Sequence, residues 1–583
     1  MALALAQPTL ESLTGADARL QAIEKLEELF NEAVQEKARH RSNVALKKAV
    51  RTWRKGDIAK AGQWALKATE ADGENSKAFH VLAMALERMG HLHKALVTYE
   101  RAFELDNEDP ELLINLGLTA WNLKLNEGAA KMFQLYIALC PESPLGYNNL
   151  GSCLADMGQV EEAIELLRAA LFRLPQEAML WNSLATVLAE NSRAEESLIF
   201  YQEAARLAPQ FARAYHNLGF AYQHLSQLDN ALVSYDRAME LVVDPAERIE
   251  TRHSRSICLI GLGKLEEGFR EYEIRNHERF RAYLHHMIDA PRWQGEDVRG
   301  KKLLIVGEQG LGDEIMFSNI LPDVQAAVGD EGKLQICVDH RLIPLYQRSF
   351  PKAEVGTYDD RTLIDDNGNK ALRLIPFASG DNKPDLWAPM GTALQFYRKS
   401  VADFPKKPFL VPDPKRVAAF KEKLAALPGK KVGICWRSML IAGKRAKYFS
   451  PIDAWGTILQ TPGVSFINMQ YGDSAPGIAR AKEKFGVQIH TMEGLDLKDD
   501  IDGTAALSLA VDLVLSAPTA AAHTASSVGA KVWYLAVGLG WPQLSTAEYP
   551  WYPDTRVFWP EKFGDWDAVM PGFAAELSAF ARQ

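Results

Sequence analysis

One interval, 34 residues, organises the first half of the chain. It separates Leu116-Gly117 from Leu150-Gly151; Leu218-Gly219 stands two intervals further on, with Leu184-Ala185 between. The same phase carries small residues at Ala95, Ala129, Ala163, Ser197 and Ala231, aromatics at Tyr147, Trp181 and Tyr215, and prolines at Pro141, Pro175 and Pro209. A unit repeated at this period cannot bury its own apolar face and must stack on its neighbours, so the pattern demands an α-solenoid. Small residues belong where paired helices approach closely, and proline ends a helix by removing a backbone donor.

The phased positions resemble the tetratricopeptide repeat (TPR) consensus. Six repeats fit between Asn43 and Pro245, the first degenerate but keeping Ala49, Ala61 and Ala68 in phase. A seventh, altered hairpin is expected over 246–278. The array therefore runs 42–278, with residues 1–41 as an N-terminal helix. Within that helix, Leu20, Ile23, Leu26, Phe30 and Val34 form a stripe over residues 16–40, read first as a cap on the first repeat and alternatively as a dimerisation face. Stacked hairpins enclose a concave groove suited to a polypeptide, or else serve as a spacer.

The phase is lost near Arg279, and residues 279–299 read as a linker in which Trp293 is expected to pin the next domain. KKLLIV (301–306), GEQGLGDE (307–314) and a helix follow: strand, glycine-rich turn, helix, the opening unit of a doubly wound sheet. Further strands are expected at 333–338, 371–376, 431–436, 464–470, 511–516 and 531–536. The proline-rich 401–414 segment reads as a hinge between two Rossmann-like halves, 300–405 and 406–583, with a returning C-terminal helix. That layout suggests GT-B glycosyltransferase architecture.

Of 583 residues, 47% are hydrophobic and 24% charged, with a formal net charge of −9, which argues against nucleic acid as the main partner. Five cysteines without CxxC spacing fit neither a zinc site nor a disulfide framework. No apolar run reaches membrane-spanning length and no basic segment precedes the N-terminal apolar run, so a cytoplasmic location is expected. The adjacent His285 and His286 read as a surface pair rather than metal ligands, and no metal is expected.

GEQGLGDEIMFSNILP, VGICWRS, LKDDIDGTAALSLAVDLVLSAPTAAAHTASSVGAKVW and YPWYPDTRVF, in this order, resemble bacterial TPR proteins with a heptosyltransferase-like GT-B domain, nearest to flagellin O-glycosyltransferases. The resemblance implies transfer of a nonulosonic acid such as pseudaminic acid, from a CMP-activated donor, to serine or threonine of flagellin held by the repeats. It implies no cofactor beyond the nucleotide-sugar. One departure stands out: the related group has Ser-x-Asp-Thr after the last long strand, whereas this chain has Ser516-Ala517-Pro518-Thr519. A glycan- or lipid-directed transferase, or an inactive TPR adaptor, are the alternatives, and a homo-oligomer is compatible with any of them.

Glycosyl transfer needs a deprotonated acceptor, a stabilised leaving phosphate and a positioned sugar. Asp313, after Gly310 and Gly312, is the candidate general base or else a helix cap; Glu308 is the second candidate. For the donor, Thr519 and Ala520 begin a helix whose N-terminus suits an anion, with Ser516 before it and His523 one turn on. Arg437, Ser438 and Lys444 supply cations and a hydroxyl after one strand, and Tyr471 follows another. The spacing G-x-x-G-x-G does not match the dinucleotide pattern.

Overall fold

The computed structural model describes residues 16–191, 193–365, 368–439 and 447–583. Of the described residues, one compact unit takes in 16–175 with 364–365 and 368–369, and a second takes in the rest from 176 onward. Among the described residues the first unit holds four helical hairpins: Ala16–Arg54 with Ile58–Ala71, Ser76–Arg88 with Leu92–Leu105, Pro110–Asn122 with Asn126–Leu139, and Pro144–Asp156 with Val160–Arg173. The second holds three, Ala178–Glu190 with Ala194–Leu207, Ala212–His224 with Leu228–Leu241, and Pro245–Gly261 with Leu265–Tyr272.

Five of the seven hairpins, all but the first and last, close on a small-against-large contact sixteen positions apart. A Cβ on Gly117 would lie 2.5 Å from Phe133, one on Gly151 2.9 Å from Leu167, and one on Gly219 2.8 Å from Tyr235. Ala83 with Tyr99 and Ala185 with Tyr201 repeat the arrangement within buried clusters. The phased small residues Ala95, Ala129, Ala163, Ser197 and Ala231 are all fully buried. Asp57, Asn75, Asp109 and Asp244 cap helix starts with their side chains. The turn between paired helices places one residue in left-handed conformation at the same phase: Gly56, Gly90 and Gly158, but also Lys124 and Ser226.

The N-terminal helix departs from expectation. It does not stop near residue 40 but runs unbroken from Ala16 to Arg54, its last third forming the first repeat's opening helix. The stripe does not cap that repeat: Ile23, Leu26, Phe30 and Val34 are 55%, 66%, 70% and 51% exposed. A continuous helix carries its earlier turns past the hairpin they would otherwise cover. No described helix is long and apolar enough to cross a membrane.

The α/β region contains thirteen strands among the described residues. In chain order these are β1 His285–Met287, β2 Lys302–Val306, β3 Lys333–Val338, β4 Glu354–Thr357, β5 Asp359–Asp365, β6 Gly368–Leu374, β7 Leu386–Pro389, β8 Lys430–Cys435, β9 Val464–Asn468, β10 Ile489–His490, β11 Leu513–Ser516, β12 Val532–Leu535 and β13 Thr555–Phe558. They form a four-stranded parallel sheet, β4-β3-β2-β7, and a six-stranded parallel sheet, β10-β9-β8-β11-β12-β13. The expected strand at 371–376 is not part of the first parallel sheet. It belongs to β6 of a small sheet with β1 and β5, and β7 takes the sheet edge instead. Arg373 explains this, because its buried guanidinium pairs with Asp360 and lies over the Tyr358 ring rather than entering an apolar layer.

The linker's Trp293 is buried against Phe396 and Tyr397. In the segment expected as a hinge, Phe409 and Leu410 donate their N–H groups to Ser527 O and bury their side chains. The last helix, Trp566–Ala581, packs Phe573 and Phe580 on Trp533 of β12.

Candidate active-site cleft

In an open parallel sheet, ligands bind beyond the carboxyl ends of strands where the winding direction reverses. In the six-stranded sheet the reversal lies between β8 and β11: β9 and β10 extend one way, β12 and β13 the other. In the smaller sheet β2 has β3 on one side and β7 on the other. The loops after β2, β8 and β11 meet at one cavity of about 520 Å³.

After β2 the backbone turns through Gly307-Glu308-Gln309 and enters the helix Leu311–Phe317 at Gly310. Gln309 adopts φ 67° to make that turn. Gly307 makes room for a protein side chain rather than for ligand, since a Cβ there would lie 2.5 Å from the Glu314 carboxyl carbon. Gly310 and Gly312 do line the cavity. A Cβ on Gly312 would sit 3.2 Å from His523 and 3.7 Å from Ala520 N, so this helix start abuts the start of Ala520–Ser527. Two helix N-termini thus converge on the same space; that of Ala520–Ser527 carries no acidic residue in its first turn and favours an anion, whereas that of Leu311–Phe317 is already capped by Asp313.

Asp313 does not itself line the cavity: it is half-buried, and its Oδ2 accepts the N–H of Gly310, which does, at 3.3 Å, so the carboxylate caps its own helix beside the wall. Glu308 is differently placed. Its carboxylate receives Arg275 Nε at 2.9 Å and Nη2 at 2.6 Å, plus the Gly391 N–H at 2.6 Å. That buried pair engages both oxygens and sets Glu308 to structural work.

On the opposing wall, Ser438, Tyr471, Thr519 and Ala520 line the cavity with Pro518. Tyr471 donates to Ser438 Oγ at 3.3 Å. Arg437 is not on the wall, because its Nη2 donates to Asp473 O at 2.8 Å and its Nη1 to Ser438 O at 3.3 Å. Ser516 is buried beneath the loop, with its hydroxyl on Ala517 O. His523 is buried between the helices with Nδ1 2.9 Å from Tyr552 Oη, and burial lowers its pKa to about 4. Lys444, and Arg445 beside it, lie outside the described residues.

Several contributors escaped the sequence reading. Arg341 and Lys498 bring positive charge to the cavity wall, and no described aspartate or glutamate lines it. Asp339 holds Arg341 through Nε at 2.8 Å and Nη2 at 2.9 Å. Gln470 clamps two loops: it accepts the Arg437 N–H at 3.0 Å and donates to Arg437 O and Tyr471 O. Glu314 lies buried beneath the turn, accepting the Asp339 N–H at 2.9 Å and the Tyr358 hydroxyl at 2.7 Å. Burial raises its pKa to about 7. The run Gly-Leu-Gly-Asp-Glu places this residue beside Asp313, but nothing in its spacing marks it as buried.

Residues 80–144 and 149–212 match one family model described as a tetratricopeptide repeat, and residues 212–241 match a second. Across 569 residues, 97% of this chain and 94% of the relative, the sequence is 40% identical to "Protein FlbA" of Caulobacter vibrioides. The chain belongs to the FlbA family. The span shared with FlbA takes in the α/β region and its cleft as well as the repeats. Among solved structures, this FlbA-family chain is similar to YrrB, a TPR protein with an unusual peptide-binding site, at 22% identity over 32% of this chain and 97% of that one (TM-score 0.24). It is also similar to a tetratricopeptide repeat protein from Parabacteroides merdae, at 15% identity over 40% and 91% (TM-score 0.36).

Proposed function

We propose that this chain is a metal-independent glycosyltransferase of GT-B architecture. In this reading the cleft holds a nucleotide-activated sugar, a CMP-linked nonulosonic acid such as pseudaminic acid, and the repeats present a protein acceptor, flagellin, in the cytoplasm. The observation that supports it best is the charge pattern of the cleft: the acid-free N-terminus of Ala520–Ser527, with Lys498 and the Asp339-held Arg341 on a wall that no described carboxylate lines. A departing nucleotide phosphate and a sugar carboxylate are both anions, and such donors stabilise them without a metal. The motif resemblance supplies the choice of sugar and acceptor.

Asp313 takes the proton from a serine or threonine hydroxyl, the oxygen bonds to the anomeric carbon, and the bond to phosphate breaks with its electron pair on the nucleotide. Intact-mass analysis of flagellin from cells with and without this gene tests the reading, and an unchanged mass overturns it. Calorimetry with CMP, UDP, GDP and ADP identifies the nucleotide, and Arg341→Ala should weaken its binding. Asp313→Ala should remain folded and lose about 10²–10⁴-fold in transfer rate; transfer at the wild-type rate would remove Asp313 from the mechanism.

A further inference from the structure

A second cavity, of about 290 Å³, lies beside the cleft. The helices Ala212–His224 and Pro245–Gly261 form one side and residues 537–541 with Phe563 the other. The two sides are bonded together, the Leu539 N–H donating to Ser226 Oγ at 2.9 Å. Tyr448 stands on the walls of both cavities.

The chemistry of this space is apolar. Phe220, Leu228, Ile257, Trp541 and Phe563 supply its surface, and no charged residue lines it among those described. Both ring nitrogens of His224 are engaged, Nδ1 with Phe220 O at 3.0 Å and Nε2 with Tyr448 Oη at 2.8 Å. Burial holds its pKa below the usual histidine value, so the ring is neutral. Lys447 lies over the Tyr448 and Phe563 rings but does not line the cavity and donates to Glu190 O, so the space itself suits an aliphatic or aromatic side chain, which loses only water on entering.

We propose that this cavity is an acceptor subsite. It takes an aliphatic or aromatic side chain of the acceptor polypeptide, a few residues from the hydroxyl that receives the sugar. Repeat helices form one wall, so a chain held by them enters here, and Tyr448 separates the seated side chain from the cleft by one ring. The inference rests on the glycosyl-transfer reading above.

The test uses the full-length protein and unmodified flagellin. Phe220 is 42% exposed, so its replacement leaves the helix intact. Phe220→Asp should raise the acceptor KM and Kd tenfold or more, because burying one large apolar side chain is worth at least that factor. Nucleotide affinity by calorimetry should not change, and Phe220→Leu should behave as wild type. If Phe220→Asp fails to melt cooperatively, Phe220→Ala decides the question. Wild-type acceptor KM and Kd in a folded variant overturn the subsite while leaving glycosyl transfer standing. A change in sedimentation instead of flagellin affinity would assign the cavity to a second copy of the chain and also overturn it. An unmodified flagellin mass with the wild-type protein is the separate result that removes the transfer reading.

Discussion

Glycine does opposite work in the two halves of this molecule. In the repeat hairpins Gly117, Gly151 and Gly219 sit inside helices and each receives one large side chain from the partner helix. The cost of glycine in a helix is offset by a contact so close that a Cβ at these three positions would collide with it. In the α/β region Gly310 and Gly312 stand at a helix start, where missing side chains leave backbone facing a cavity. The carboxylates differ in the same way. Those of the repeats lie at helix caps and on the surface, whereas Glu308 and Glu314 are buried among groups drawn from distant parts of the chain. A repeated contact leaves a periodic trace; a site assembled once does not.

Four substitutions sharpen or break this contrast. Glu308→Ala should have the largest effect. It leaves the buried Arg275 with Glu273 as its remaining carboxylate and should destabilise the α/β unit by about 3 kcal/mol in chemical denaturation, the lower end for a broken buried pair. A cost near zero would return Glu308 to the list of candidate bases.

Glu314 should impose a pH dependence. Its pKa in the folded protein is about 7, above the ordinary glutamate value, so the folded state binds the proton more tightly than the unfolded chain. That contribution is complete below the unfolded value and is lost as pH rises through about 7. Stability should therefore fall by roughly 2 kcal/mol between pH 5 and 7, and Glu314→Gln should flatten that slope in thermal melts. An unchanged slope would show that the carboxylate is ionised throughout.

Within the repeats, Gly117→Ala drives a methyl into Phe133 and should cost about 1.5 kcal/mol. The smallest effect is of opposite sign. Lys124→Gly relieves a left-handed residue, φ 65°, at a turn position where other repeats carry glycine, and should add up to about 1 kcal/mol. Hydrogen exchange of the Pro110–Asn122 and Asn126–Leu139 hairpin reads both. A neutral Gly117→Ala would break the account of hairpin closure.

Legibility followed the same division. The period located the helix pairs from Asn43 onward, because each repeat solves one packing problem with the same residues. Where the N-terminal helix would end was not legible: Ser42 and Asn43 are both cap-type residues, yet the helix runs through them, and the Ser42 hydroxyl donates to Ala68 O and accepts from Asn75 Nδ2 instead of capping a helix start. Strand ends and loop chemistry point to Gly310, Gly312, Ser438, Tyr471, Thr519 and Ala520, and these residues line one cavity. Arg437, Ser516 and His523 lie off that wall, because a strand end does not disclose which side chain turns into the protein.

The sequence by itself determined the helical array, the parallel sheets and the loops that follow their central strands, because period, alternation and glycine spacing are local properties. Only the tertiary structure decided that Glu308 closes on Arg275, that Glu314 lies buried beneath Asp339, and that Arg341 and Lys498 face one cavity. Those outcomes depend on which distant groups desolvate each charge, and burial is a property of the folded assembly rather than of any segment within it.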